Sequence, residues 1–114
     1  MRLALVTPFR PSGNQSMPLK ASQKRYLRGL AHDLKPVIMV GNKGVSAAVL
    51  AEFSIALDQH ELVKVRLAGD DRAERAAQVT KLAVDASAEL VQTIGKVASF
   101  FRRNTDTPRI ALPK

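Results

Sequence analysis

Hydrophobic positions along the chain follow two periods, which predict helices that alternate with strands. Over residues 22–35 and again over 46–60, apolar residues recur at the i, i+3, i+4 and i+7 spacing of an amphipathic helix. Residues 62–67 alternate instead, with Lys64 and Arg66 on the face opposite to the aliphatic residues, which is the period of a half-buried strand. The pattern therefore predicts a domain of mixed α/β type.

Capping residues and a helix breaker mark the bounds of these elements. Ser22 and Ser46 can each cap a helix with their side-chain oxygen. Pro36 ends the first helix, because the residue before a proline is disfavoured in the α conformation. The uninterrupted apolar residues 37–40 then predict a buried strand.

The second half of the chain predicts a third helix and two more strands. Asp71 lies at the start of the helix, three residues before Glu74, which is the spacing of a capping box. Residues 89–94 and 96–102 are strand candidates joined by a turn at Gly95. The predicted packing face of the helix consists of Ala76, Ala77, Thr80, Ala83 and Val84. The predicted order of elements is αβαβαββ.

Neither period extends to the ends of the chain. Prolines and small polar residues predict a flexible leader over 1–19 and a flexible tail over 104–114, on either side of one domain at 20–103. The regular pattern begins just after Met17, which makes this residue a candidate start of translation that N-terminal sequencing would test.

Basic residues outnumber acidic ones and are unevenly placed. The chain has 114 residues and a formal net charge of +8. Residues 1–51 contain eight Lys or Arg and one acid, residues 52–89 contain five and eight, and residues 90–114 contain five and one, so the net charges are +7, −3 and +4. This balance favours a polyanionic partner and predicts one basic and one acidic surface.

Several kinds of chemistry are disfavoured by the residues that the chain lacks. Without cysteine it has no disulfide, thiolate nucleophile or cysteine-based zinc site, and it suits a reducing compartment. His32 and His60 are its only histidines, and no nucleophile elbow or paired-acid motif accompanies them. No apolar run approaches the ~20 residues of a membrane span. We therefore expect a cytoplasmic protein that is not an enzyme and that uses no metal or cofactor.

The most informative motif follows the first predicted strand. Gly41, Asn42, Lys43 and Gly44 form a Gly-x-x-Gly loop that opens the second helix. Two glycines allow the backbone to approach a phosphate chain closely, with the lysine and the positive end of the helix aimed at it. The loop is not a Walker motif, because it lacks the Gly-Lys-Ser/Thr ending and the longer spacing. We interpret it as a nucleic-acid contact.

Further cations are predicted to lie near this loop. Because the connection between them is short, the first helix should run antiparallel to the first strand, which brings Lys24, Arg25 and Arg28 towards the loop. A right-handed crossover between parallel strands places Arg66 at the same edge of the sheet.

Aromatic residues are scarce, which bears on how nucleic acid would be bound. Phe53 lies on a buried stripe, and the adjacent Phe100 and Phe101 point to opposite faces of a strand. We therefore expect binding to rely on phosphates and RNA shape more than on base stacking. The sequence leaves open whether Arg102 and Arg103 extend the basic surface or form a solvated strand end.

Together these segments resemble a known family. Over about residues 20–103 the chain is similar to stand-alone CRM domains of the bacterial YhbY type. The likeness rests on Gln23, Tyr26, Leu27, Leu30, Ala31, His32, Leu34, Lys35 and Pro36, on Val40 with the glycine loop, on Glu52, Ala56 and Leu57, on residues 60–65, and on Ile94, Gly95, Lys96, Phe101 and Arg102.

This resemblance implies both a fold and a function. The fold would be α/β, of an α+β-like two-layer kind, with a four-stranded mixed sheet similar to the C-terminal domain of translation initiation factor 3. The function would be RNA binding through the loop and the surrounding basic surface, in association with precursors of the large (50S) ribosomal subunit. The resemblance adds Lys64 to the candidate RNA contacts, which are then Lys24, Arg25, Arg28, Gly41, Asn42, Lys43, Gly44, Lys64 and Arg66.

Two other functions would use the same features. A basic architectural protein that binds DNA would need the same charge together with a groove-reading helix, and competition between structured RNA and duplex DNA would separate the two. A protein-interaction module of a ribosome-associated complex would use the acidic middle of the chain, with Asp70, Asp71 and Glu74. Such a module would keep its ribosome association after mutation of the RNA surface.

Overall fold

The computed structural model describes residues 19–113, which form three helices and four strands. The elements are α1 (Ala21–His32), β1 (Ile38–Met39), α2 (Ala47–His60), β2 (Leu62–Arg66), α3 (Arg72–Asp85), β3 (Glu89–Ile94) and β4 (Val97–Phe101). Their order confirms the predicted αβαβαββ. Of the leader predicted for 1–19, all but the last residue lies outside the described residues. None of the three described helices is long and apolar enough to cross a membrane.

The four strands form one mixed sheet in the order β1-β2-β4-β3. β1 pairs with β2 in parallel, with Ile38 opposite Val65 and Met39 opposite Arg66. α2 is therefore a crossover between parallel strands. β4 pairs antiparallel with both β2 and β3. This arrangement confirms the predicted four-stranded mixed sheet.

Helices cover both faces of the sheet, which corrects the predicted two layers to three. α2 and α3 pack on one face, where the rings of Phe53 and Phe100 meet edge to face with their centroids 5.1 Å apart. α1 packs on the other face, in a second cluster of Leu27, Ala31, Leu62, Val91 and Phe101. The layer count differs because β2 and β4 place apolar side chains on both of their faces, so that each face needs a cover.

β1 is buried on one side only, which differs from the buried strand predicted for 37–40. Ile38 and Val40 point into the core, whereas Val37 is 59% and Met39 is 64% exposed. α1 packs against β2 and β3 and leaves this part of its face of the sheet open.

The starts of two helices agree with the prediction, and the start of the third does not. Ser46 and Asp71 cap α2 and α3 with their side-chain oxygens. α1 begins after Lys20 rather than after Ser22, because the N–H of Lys20 donates to Oε1 of Gln23 at 2.9 Å. The side chain of this glutamine thus satisfies a donor that precedes the helix.

α3 packs through a different face from the one predicted. Its buried residues are Gln78 and Leu82, while Ala76 and Val84 are exposed. The side-chain amide of Gln78 accepts from the N–H of Ala68 at 3.0 Å and donates to its carbonyl at 3.1 Å. A glutamine is buried here because it pairs with the backbone after β2.

The segment after β4 returns to the side of the sheet that α1 covers. Glu61 is fully buried, and its carboxylate accepts from the N–H groups of Asn104, Arg109 and Ile110, each at 2.7 Å. Ile110 and Leu112 then pack beside the cluster under α1. The flexibility predicted for 104–114 stays a prediction.

Candidate nucleic-acid interface

The Gly-x-x-Gly loop forms a tight turn just after β1. The N–H of Gly44 donates to the carbonyl of Gly41 at 2.9 Å, with Asn42 and Lys43 at the two central positions. Gly44 has a φ of +76°, which favours glycine, whereas a Cβ at Gly41 would meet open space. Residues 41–43 are exposed. The backbone and the lysine of this turn are therefore open to a ligand.

The positive end of α2 lies directly after this turn. Ser46 accepts from the N–H of Val49 at 3.2 Å, and the first turn of this fully described helix contains no acidic residue. No carboxylate within that turn therefore offsets the helix dipole. An anion at the turn would be attracted both by the dipole and by Lys43.

The turn lies at the edge of the sheet where β1 and β2 both end. The N–H of Val40 donates to the carbonyl of Arg66 at 2.9 Å, and the side chain of Arg66 is exposed. The register aligns Met39, Arg66, Val97 and Ile94 in one row across the four strands. Residues directly opposite each other point to the same face of a sheet. Arg66 thus lies at the same edge as the loop, as expected for parallel strands joined by a crossover.

The cations of α1 lie over another part of the sheet. Arg25 and Arg28 line a groove of about 600 Å³ together with Gln92 and Ile94 of β3 and Val97 of β4. The loop follows β1 at the opposite edge of the sheet, and three strand spacings of ~4.8 Å separate β1 from β3 by about 14 Å. The groove and the loop therefore lie at different parts of the sheet.

The expectation that α1 runs beside β1 is therefore corrected. α1 crosses the sheet over β2 and β3, because its buried Leu27 and Ala31 pack on Leu62, Val91 and Phe101 of that face. Its cations extend the basic surface along the sheet, instead of gathering around the loop. Lys24 is half-buried and does not line the groove.

Lys64 makes contacts that sequence patterns did not indicate. Its Nζ donates to the carbonyl oxygens of Ala31 at 2.9 Å and of Leu34 at 3.0 Å, at and just beyond the end of α1. The last carbonyls of a helix have no partner within the helix, and a cation there complements the dipole. Lys64 therefore holds α1 in place, and it also lines the groove.

The two arginines after β4 lie away from this surface. Arg102 donates to carbonyl oxygens of Ser54 and Ala86 and to the carboxylate of Asp58, each at 2.8 Å, so it ties β4 to α2 and α3. The guanidinium carbon of Arg103 lies 6.0 Å from the ring centroid of Phe101. Phe101 pairs with the first residue of β2, at the end of the sheet opposite to the loop.

Two of the three acids considered for a protein-interaction surface have partners in the fold. Lys96 donates to Asp70 at 2.9 Å, and this hydrogen bond and the charge of Lys96 lower the pKa of the Asp70 carboxyl. The side chain of Asp71 accepts from the N–H of Ala73 as the cap of α3. The pair of Asp70 and Lys96 is exposed, so its effect on stability is small.

The histidines do not form a metal site. His32 lines the groove near Arg28, and His60 is the last residue of α2. Within residues 19–113, no three His, Asp or Glu side chains cluster closely enough to hold a metal ion.

The sequence analysis did not predict that one row of apolar side chains is exposed on the face of the sheet that α1 only partly covers. Met39 is 64% and Ile94 is 66% exposed, and Val97 lies between them in the same row. The exposed and buried positions alternate over residues 37–40, but the sequence does not show this because all four residues are apolar.

A family model matches most of the chain. The model of the CRS1 / YhbY (CRM) domain matches residues 19–102. This region contains all the described helices and strands and every candidate RNA contact named above.

Curated proteins and a solved structure are similar over most of the chain. An RNA-binding protein of Haemophilus influenzae is 41% identical over 96 residues, which cover 84% of this chain and 96% of that protein. A probable RNA-binding protein of Pseudomonas aeruginosa is 42% identical over 88 residues, which cover 77% and 85% of the two chains. The solution structure of a Staphylococcus aureus protein, described as a candidate RNA-binding protein, superimposes with a TM-score of 0.73 at 30% identity and covers 83% of this chain and 99% of that one.

Proposed function

Because the chain belongs to the CRS1/YhbY (CRM) domain family, we propose that it is an RNA-binding protein that docks on structured ribosomal RNA during assembly of the large ribosomal subunit. The similar proteins of Haemophilus influenzae and Pseudomonas aeruginosa are named as RNA-binding proteins, which supports RNA as the partner. Docking requires no chemical step, so the proposed role is not enzymatic. We expect the protein to meet this RNA in the cytoplasm.

The observation that carries the proposal is the exposed turn beside the cations at the sheet edge. Gly41 would let the backbone approach the sugar-phosphate chain, and Gly44 would keep the turn in its left-handed conformation. Lys43 and Arg66 would contact phosphates, and the side-chain amide of Asn42 would donate to phosphate or ribose oxygens. The positive end of α2 favours an anion at the same place.

The basic residues of α1 would enlarge the surface that contacts RNA. Arg25 and Arg28 line the groove over β4 and β3, and Lys24 lies on the same helix. Arginine at such positions can contact phosphate with two parallel hydrogen bonds. Lys64 would contribute in a different way, by holding α1 against the sheet through its two carbonyl contacts.

The loop is tested by adding negative charge without changing the fold. We expect Lys43→Glu and Gly41→Asp each to weaken binding to a structured fragment of large-subunit precursor RNA by about tenfold, because a carboxylate would face the phosphates. Fluorescence anisotropy would measure the dissociation constants, and urea unfolding would confirm that the domain stays folded. The matched control is Arg103→Glu, which makes the same change of charge at the end of the sheet opposite to the loop and should change affinity by less than about twofold.

Unchanged affinity in both charged variants would remove the loop from the mechanism. The ribosomal target needs a separate experiment, which is crosslinking in cells followed by sequencing of the attached RNA. Reads concentrated on large-subunit precursor RNA are expected, and reads spread over other transcripts would contradict that part of the proposal. Competition with duplex DNA in the same binding assay would show whether the surface prefers RNA.

A further inference from the structure

The groove between α1 and the sheet has a composition that phosphate binding by the loop does not explain. We propose that it binds an unpaired nucleotide of the RNA, with the base on the apolar floor and the adjoining phosphates at the arginines. This inference rests on the proposed RNA-binding function and deepens it, since it names the kind of nucleotide that the domain selects.

The volume of the groove and the apolar side chains at its base suit the binding of a flat ring. Its volume of about 600 Å³ lies within the range of ~300–1,000 Å³ found for small-molecule sites. Ile94 and Val97 of neighbouring strands form an apolar floor, and Ala31 of α1 and Pro36 add apolar surface at the sides. Aliphatic side chains of this kind can cover one face of a base.

Two polar side chains lie within this apolar surface. Gln92 and Ser99 are opposite each other on β3 and β4, and both line the groove. Ser99 is buried, with 4% of its surface exposed, so the half-buried Gln92 is the more accessible of the two. An amide and a hydroxyl can each donate and accept hydrogen bonds, which is what contact with the edge of a base requires.

The charge around the groove favours a nucleotide over an apolar protein segment. Arg25, Arg28 and Lys64 line it, and among its described lining residues none has a carboxylate. A phosphate would therefore be attracted from several sides. The bases of a duplex are stacked and paired, so only a loop, bulge or single strand can place a base in the groove.

Gly29 gives an independent reason to regard the groove as a site. It lies within α1 and lines the groove, and a Cβ at this position would meet nothing within 4 Å. Glycine inside a helix is unfavourable relative to alanine, and close packing does not require it here. Because glycine has no side chain, this position leaves space in the groove that a base could occupy.

The test fills the groove while the charge is unchanged. Gly29→Leu places a side chain that favours helix into the groove, and Gly29→Ala is the matched control that adds only a methyl group. The probes are a short oligouridylate and a fully paired RNA duplex, each titrated with the full chain. We expect Gly29→Leu to weaken oligouridylate binding by about tenfold and duplex binding by less than about twofold, with Gly29→Ala close to the unmodified chain.

A second measurement locates the base directly. Oligouridylate that contains 4-thiouridine should crosslink to the peptide that spans residues 92–99, and Gly29→Leu should reduce this product. The inference is overturned if Gly29→Leu binds oligouridylate as the unmodified chain does, a result that would also fit a groove occupied by a protein segment. If Lys43→Glu weakens binding while Gly29→Leu does not, the proposed function stands and only the groove is wrongly assigned. If the unmodified chain binds the structured precursor fragment but not oligouridylate, only the groove is wrongly assigned, and if it binds neither of these RNAs, both proposals fail.

Discussion

Glu61 shows how one residue can serve the fold at a local cost. It follows α2 with a φ of +62° and a ψ of −42°, a sparsely populated conformation that costs a non-glycine residue about 1–3 kcal/mol. Glycine would be more favourable there for the backbone, but it would lose the buried carboxylate that accepts three N–H groups of the segment after β4. Hydrogen bonds to a charged group are stronger than neutral ones, and this explains why a glutamate is kept.

Replacement of this carboxylate by an amide should destabilise the domain. We expect Glu61→Gln to lower the free energy of unfolding by about 3 kcal/mol, because one acceptor oxygen becomes a donor that faces the N–H of Asn104 or of Arg109 and Ile110. Urea denaturation would measure this loss. Glu52→Gln, on the exposed side of α2, is the control and should change stability by less than about 0.5 kcal/mol. Equal stabilities of the two variants would show that the carboxylate does not hold this segment.

At the scale of elements, one lysine of β2 helps to fix the position of α1 on the sheet. The ammonium group of Lys64 satisfies two carbonyls at the end of α1, 33 and 30 residues away along the chain. α1 is a short helix that would be marginal on its own, so it depends on the packing of Leu27 and Ala31 against the sheet and on this lysine contact. The groove exists only while α1 is held in this position.

Removal of the ammonium group should loosen α1. We expect Lys64→Met to lower the free energy of unfolding by about 1 kcal/mol and to increase amide hydrogen exchange along α1, because the carbonyl of Leu34 loses its ammonium donor and the carbonyl of Ala31 keeps only backbone donors. Lys81→Met is the control, since Lys81 forms an exposed pair with Asp85 within α3 that is worth less than about 0.5 kcal/mol. If both variants lose the same stability, Lys64 does not position α1.

Local patterns predicted most helices and strands, because the start and the period of such an element are set by residues close in sequence. Ser46 and Asp71 cap their helices as expected, and the alternation of 62–67 matches β2. The packing face of α3 was wrong, because Gln78 is buried through its bonds to Ala68, a contact that no period reveals. The packing of α1 on the second face of the sheet was missed for a similar reason, since it depends on how elements distant in sequence come together.

At the scale of the whole molecule, part of the candidate site could be predicted from local patterns and part could not. The exposed turn and the place of Arg66 could be predicted, because both follow from one strand-helix-strand unit. The position of the α1 cations and the structural roles of Lys64 and Arg102 depend on tertiary contacts and could not. Arg102 contributes to the net charge although it is bound to α2 and α3, so net charge overstates the number of cations available to RNA.

The salt dependence of RNA binding should distinguish local contacts from overall charge. Each phosphate contact releases counterions, so Lys43→Gln should lower the slope of log affinity against log salt concentration by about one unit. Arg103→Gln removes the same charge at the opposite end of the sheet, and we expect its slope to stay unchanged. The measurement is a series of anisotropy titrations of one structured RNA at increasing salt. Equal slopes for the two variants would mean that affinity follows total charge, and the edge formed by the turn and Arg66 would lose its special role.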